Sequence, residues 1–297
     1  LAASSTPESI ADGVDEEVVE PNRRLFVGWQ FLLFAALAIA YSGFHLFSLN
    51  VYPMETWSFR IVHIAGALIL GYGLFAGARF AEDDQQASPA WLKWVSYALL
   101  IPAVYSLVQV VLMQQTINSG AMRIDPAVET LHFGYPLMAT TAVAIVLSWF
   151  YRQARPRFNA ADLVLMVCAL ASAGYLLTAF NTTMRMSTGT SFAPPGISWA
   201  AIAGSLLILE LTRRVAGLAL VVISAVFLTY VFAGPYLPGF LGYPGLSVQR
   251  FFSQVYTDAG ILGPTTAVSS TYIILFIIFA AFLQASKVGD YFVNFAF

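Results

Sequence analysis

Residues 215–236 read VAGLALVVISAVFLTYVFAGPY, an unbroken run without a charged side chain. A helix needs about 20 consecutive apolar residues to cross a bilayer core, and this segment has that length. In hydrocarbon, backbone polar groups must be satisfied within the segment itself, so a helix is the default. The alternation of a β-barrel strand is missing. Seven further stretches qualify, at 25–48, 61–80, 94–113, 132–151, 162–180, 197–212 and 266–285. The sixth, 197–212, is short and is bounded by Pro194-Pro195-Gly196 and by Arg213-Arg214.

Composition leads to the same class. Of 297 residues, 59% are hydrophobic and 10% charged, and the mean hydropathy is +0.74. Soluble domains carry roughly 25% charged residues. A soluble enzyme, a secreted disulfide scaffold and a nucleic-acid binder are therefore excluded. A net charge of −2 supplies no basic patch for a phosphate backbone. The single cysteine, Cys168, lies in an apolar run and cannot build a disulfide framework or a paired-cysteine metal site. The expected fold is an all-α polytopic membrane protein with about eight transmembrane helices.

Orientation follows from the basic residues. With the N-terminus inside, inner segments hold Arg23, Arg24, Arg79, Lys93, Arg152, Arg155, Arg157, Arg213, Arg214 and Lys287. Outer segments hold Arg60, Arg123, Arg185 and Arg250. This positive-inside bias predicts N-in and C-in, and it supports the span count, because one missed helix would scramble the alternation. Residues 1–22 carry Glu8, Asp12, Asp15, Glu16, Glu17 and Glu20 and few aliphatics, so an acidic disordered tail is expected there. In the long connection 237–264, Val248, Phe251, Phe252 and Val255 recur at helical spacing. They predict a short amphipathic helix on the outer side, at the membrane surface or against a neighbouring domain. The chain starts at Leu1 and stops inside an apolar segment, 291–297, so a longer parent polypeptide is expected.

Polar residues at membrane depth are the candidate functional groups. Glu210 precedes Arg213 and Arg214 by one helical turn, the spacing of intrahelical ion pairs. The set reads first as an anchor that fixes helix depth; a coupling-ion or proton site and a contact with another domain are the alternatives. His45, His63 and His132 all fall near the outer face. Three imidazoles at one depth could serve a haem or metal, but no C-x-x-C-H or H-E-x-x-H spacing accompanies them, and interfacial packing is the simpler reading. Asp162 opens the fifth span as a helix N-terminal acid. Gln30 and Gln109 are expected as buried helix glue, and Gly73 and Gly77 form a GxxxG pair that permits close helix approach. No nucleophile–base–acid set, catalytic carboxylate pair or phosphate loop is present in the sequence, so no enzymatic activity is expected.

The stretch Leu209-Glu210-Leu211-Thr212-Arg213-Arg214-Val215-Ala216-Gly217 resembles an L-E-x-x-R-R-x-x-G junction found in the fused permeases of TRAP (tripartite ATP-independent periplasmic) transporters, in the branch served by TAXI-type binding proteins. Tyr230 and Gly234-Pro235-Tyr236-Leu237-Pro238-Gly239 follow in order, then Gly260-Ile261-Leu262-Gly263, Val268-Ser269-Ser270-Thr271 and Gly289-Asp290-Tyr291-Phe292. Upstream, Arg60-Ile61-Val62-His63 is similar to the R-x-x-H that opens the second helix of the small-subunit region. The likeness runs over 160–297 and, more loosely, 25–80. It departs at Ala280, where Gly is usual, at Pro264, and in the spans near 94–151, which read as an added helix pair.

The resemblance implies a small-subunit-like region over 23–214 and the start of a large-subunit domain over 215–297. It implies the scaffold part of an ion-driven importer of organic acids in a prokaryotic inner membrane, fed by a periplasmic solute-binding protein. Coupling Na+ and substrate sites are expected in the remainder of the large permease domain, outside this chain. The residues carried over are Glu210, Arg213 and Arg214, as a structural junction. The lipid bilayer is the other expected partner. The rival readings are a membrane haem or metal electron-transfer subunit using His45, His63 and His132, and a stand-alone accessory membrane subunit.

Overall fold

The computed structural model describes residues 22–81, 87–180, 182–190 and 192–296. The tail expected over 1–22 therefore lies, except for Asn22, outside the described residues. Eight helices are long and apolar enough to cross a membrane: α1 Trp29–Asn50, α2 Thr56–Leu74, α3 Ala90–Asn118, α4 Val128–Phe150, α5 Ala160–Ala179, α6 Pro195–Ala216, α7 Leu218–Tyr236 and α9 Pro264–Ala285. The amphipathic α8, Val248–Val255, falls where its spacing predicts, and α10 is Val288–Ala296. The chain is an all-helical polytopic membrane protein; among the described residues the only β feature is an isolated bridge between Arg23 and Phe75.

Local chemistry sets the helix ends. The Glu55 carboxylate caps α2 by accepting from the N–H groups of Trp57 and Ser58, and Asn159 caps α5 through Ala161. Pro195 takes the first position of α6, where a missing N–H costs nothing. Helix α3 breaks at Leu99, between Ala90–Ala98 and Leu100–Asn118. Pro102 lacks the N–H that would bond back to Ala98, which accounts for the break. Three π-helical stretches widen the helices: Val128–Gly134 opens α4, Tyr175–Ala179 closes α5, and Ser269–Ile273 interrupts α9.

Helix α5 is the axis of the bundle and packs against α2, α3, α4 and α6. In its apolar window 67% of residues are buried, against 6% in α7 and in α9. Its fully buried positions are rich in small side chains, among them Ala161, Cys168 and Ala171, which lets neighbouring helices approach closely. The pair near 94–151, read as an addition, thus packs directly on the central helix. One core cluster also takes in Phe252, Tyr256 and Leu262 from beyond residue 214. Helix α8 rests on α6, with Phe252 buried and Val248 exposed. Gln30 and Gln109 are half-buried, not buried as expected. The GxxxG glycines do not share one partner helix. A β-carbon at Gly73 would lie 2.0 Å from Cε1 of Phe34 on α1, whereas one at Gly77 would meet Ser148 and Arg214.

Helices α6 and α7 are joined by Gly217 alone, at φ 84°, ψ −177°. That conformation is essentially restricted to glycine and costs other residues about 1–3 kcal/mol. No atom lies within 4 Å of a β-carbon built there, so a substitution tests backbone strain free of steric clash. Gly217→Ala should lower the thermal unfolding midpoint of the detergent-solubilised protein, followed by circular dichroism. An unchanged midpoint would mean the α6–α7 turn relaxes freely.

Candidate functional site

The C-terminus of α2 leaves its last carbonyls without intrahelical partners, and a helix C-terminus attracts cations. Three arginines converge on it. Arg24 Nη1 donates to the carbonyls of Tyr72 and Gly73, each at 2.8 Å, and the Arg24 backbone N–H donates to Leu74 at 2.7 Å. Arg214 Nη1 reaches the Phe75 carbonyl at 2.9 Å, and Arg213 Nη2 that of Gly77 at 2.8 Å. Tyr72 closes the same corner by donating its hydroxyl to Leu207 of α6 at 2.6 Å.

Two carboxylates balance these cations. Asp162, in the first turn of α5 and fully buried, accepts from Arg214 Nη1 at 2.7 Å and, on its other oxygen, from Arg24 Nη2. Glu210 receives Arg213 through both oxygens at 2.8 Å, Arg214 Nε at 2.7 Å and Trp149 Nε1 of α4 at 2.9 Å. Arg214 Nη2 also donates to Ser148 Oγ at 2.9 Å. Rings cover the remaining faces: Arg214 stands over Tyr72, Arg213 over Trp149 and Arg24 over Phe158. The set holds three positive and two negative charges, and the excess falls to the end carbonyls of α2 and to Arg213, whose side chain is 26% exposed.

The expected pairing of Glu210 with Arg213 and Arg214 is thus present at i+3 and i+4, but it is one part of a wider network. Asp162 is more than a helix N-terminal acid: it is the ionic partner of Arg24, 138 residues away in sequence, and of Arg214. Arg24, Asp162, Ser148 and Trp149 were not legible as members, because the partners lie on different helices at unrelated spacings. Each carboxylate oxygen already accepts from at least one charged donor. A coupling ion would have to displace guanidinium groups to enter, so the geometry suits a clamp.

At the opposite end of the bundle the contacts are of another kind. Arg60 pairs with Asp258 at 3.1 Å, Trp57 donates to Asp258 at 2.8 Å, and Arg185 meets Glu55 at 3.1 Å. Burial pushes the Glu55 carboxyl up, but the N–H groups of Ser58 and Trp57, the Ser58 hydroxyl and Arg185 outweigh it and hold the group down at about 2. His45 and His63 come together, with Nε2 of one 2.9 Å from Nδ1 of the other. His132 does not join them; it is exposed and bonds Tyr105 at 2.7 Å. Among the described residues no group of three histidine, cysteine or acidic side chains is placed to hold a metal ion, and a metal shared by His45 and His63 would have to break the bond between them.

Glu129 is a buried acid that the sequence reading passed over. It accepts from the Tyr175 hydroxyl at 2.7 Å and from the Gly196 N–H at 3.4 Å, serving as a cap for α6 supplied from α4. It lies just ahead of the apolar run 132–151, with His132 one turn on, so nothing in the local sequence marks it as buried. Between α2, α6, α8 and α9 lies a cleft of about 930 Å³, mostly apolar, with His63, Thr212, Gln254, Thr265, Thr266 and Ser269 as its polar lining.

No family model, no curated protein and no solved structure matches this chain.

Removing one partner from a buried ion network leaves an uncompensated charge and costs about 3–5 kcal/mol. Asp162→Ala, which strips an anion from Arg24 and Arg214, should lower the unfolding free energy by that amount in a denaturant titration. A loss within the ~1 kcal/mol of a surface pair would contradict the assignment.

Proposed function

We propose that this chain is the static membrane portion of an ion-driven importer of organic acids, of the TRAP fused-permease kind, seated in a prokaryotic inner membrane. The observation that carries the reading is the ion network around Glu210, Arg213 and Arg214, the residues on which the resemblance is strongest. It fastens α2, α4, α5, α6 and the segment before α1 at one level, and its carboxylate oxygens are already engaged. A clamp of that sort suits a scaffold against which another domain moves, and it leaves substrate and Na+ sites to the remainder of the large permease domain.

The outward faces of α7 and α9 support the same reading. They present Phe227, Phe276, Phe279 and Phe282 with at least 60% of their surface exposed. In a scaffold these faces meet lipid or the moving domain. The periplasmic solute-binding protein would dock at the end that carries Glu55, Arg185 and Asp258.

The test uses the full transporter in proteoliposomes with its binding protein. Charge reversal at Arg213 and Arg214, or Glu210→Ala, should lower assembled protein and uptake together, with the ratio of uptake rates between competing carboxylates unchanged. Altered substrate preference in an assembled variant would place these residues in a transport site and overturn the scaffold reading. A Soret band in the purified protein would instead favour the electron-transfer rival. Normal uptake by a complex lacking the region would favour the accessory one.

A further inference from the structure

His45 and His63 are linked into a row of polar groups whose hydrogens can be counted. His45 Nδ1 lies 2.8 Å from the Tyr41 carbonyl, which only accepts, so Nδ1 carries the hydrogen. A neutral His45 then has a bare Nε2, and the 2.9 Å contact requires His63 Nδ1 to donate to it. His63 Nε2 is left bare in turn and receives the Ser269 hydroxyl of α9 at 3.1 Å. Tyr41 gives its own hydroxyl hydrogen to the His63 carbonyl, at 2.9 Å, so its oxygen, 2.8 Å from His63 Nδ1, is a second acceptor that shares the Nδ1 hydrogen with His45 Nε2. In the neutral state, therefore, every donor has an acceptor, and all bonds in the row point the same way.

The row has room for one more proton and no more. Of the two bare imidazole nitrogens in the row, His45 Nε2 and His63 Nε2, only that of His63 faces a group able to turn from donor to acceptor. If a proton binds there, the new N–H donates to Ser269 Oγ with no shift of heavy atoms. The Ser269 hydrogen then turns to a carbonyl one turn back in α9, those of Thr265 and Thr266 being nearest in register. A second proton would have to enter between His45 Nε2 and His63 Nδ1, where two N–H groups would collide. His63 and Ser269 both line the 930 Å³ cleft, so a proton can reach the row without the bundle opening. Ser269 also begins the π-helical stretch of α9, the kind of helix irregularity often found at functional sites.

The surroundings leave the site free to respond. From α1 the row meets Tyr41 and the ring of Phe44, and from α2 the ring of Phe59, with Arg60 one turn before His63 in the same helix. Arg60 is paired with Asp258 of the α8–α9 connection, and Arg185, beside the same helix end, is paired with Glu55. On α9 the titratable neighbour is the exposed Tyr272. The acids of α5 and α6, Asp162 and Glu210, lie at the other end of the bundle within the arginine network. No carboxylate hydrogen-bonds either imidazole among the described contacts, so no fixed counter-charge holds the pair protonated.

We propose that His45, His63 and Ser269 form a proton-binding site at membrane depth, which takes up one proton at His63 Nε2 from the cleft and thereby reverses the hydrogen bond joining α2 to α9. The ligand is the proton itself, delivered as hydronium or by an acidic group entering the cleft. The reversed bond is charge-assisted and so stronger than the neutral one; proton uptake tightens α9 against the α1–α2 pair. This goes beyond the scaffold reading and does not depend on it, since it rests on the hydrogen count alone.

The test is a nitrogen NMR titration of the full chain, with ¹⁵N-labelled histidine, in lipid bilayers from about pH 8 to about pH 3. The chain has 3 histidines, so each ring is resolvable, and His132→Gln removes the exposed one from the spectrum. At the alkaline end both His45 and His63 should carry their hydrogen on Nδ1. On acidification the pair should take up one proton, with His63 Nε2 changing most and His45 responding at the same midpoint, as coupled sites do. Ser269→Ala, a small change at a half-buried site, should weaken proton affinity about tenfold and move that midpoint down by about one pH unit. His63 protonated on Nε2 at alkaline pH, two rings titrating independently, no uptake over the range, or an unmoved midpoint in Ser269→Ala would each overturn the proposal.

Discussion

A helix that ends inside a membrane protein exposes carbonyl oxygens with no water to accept from, and the rest of this structure depends on how α2 meets that constraint. Its last carbonyls take donors from Arg24, and the carbonyls of Phe75 and Gly77 just past its end take guanidinium donors from Arg214 and Arg213. Three cations gathered in one place need anions, which Asp162 and Glu210 supply from α5 and α6. Because these residues come from separate parts of the chain, satisfying one helix end fixes the relative depth of several helices at once. Desolvation makes such a network costly to assemble and more costly to break in part, which is why it acts as a clamp.

The two ends of the bundle differ in chemistry. Among the described residues, one end is held by formal charges whose carboxylate oxygens are all engaged. The other carries two isolated charge pairs and a row of neutral imidazole, hydroxyl and carbonyl groups beside an open cleft. The first arrangement resists change; the second can accept a proton without rearranging.

Much of the fold was legible because the bilayer imposes a length. Eight apolar runs gave eight spans, and the turn-spaced apolar residues at 248–255 gave α8. Boundaries failed where polar groups are satisfied out of sight of the local sequence. The sixth run stops at 212 because Arg213 and Arg214 end it, yet the helix continues to Ala216, since both side chains are paired inside the bundle. Span three begins at Ala90, ahead of the expected 94, because α3 starts as a separate amphipathic segment before the Leu99 break. For the sites, the i+3 and i+4 spacing made Glu210, Arg213 and Arg214 readable. Nothing local could join Arg24 to Asp162, or separate His132 from the other two histidines.

The network acts as one cooperative unit, and amide hydrogen exchange of the protein in lipid nanodiscs tests that most directly. In the wild type, the amides of 71–77, 160–166 and 210–216 should exchange slowly and at similar rates. Asp162→Asn, which keeps the side-chain volume and removes the charge, should accelerate all three segments together with residues 23–27. Faster exchange confined to the first turn of α5 would contradict the claim, and would reduce the network to a set of independent pairs.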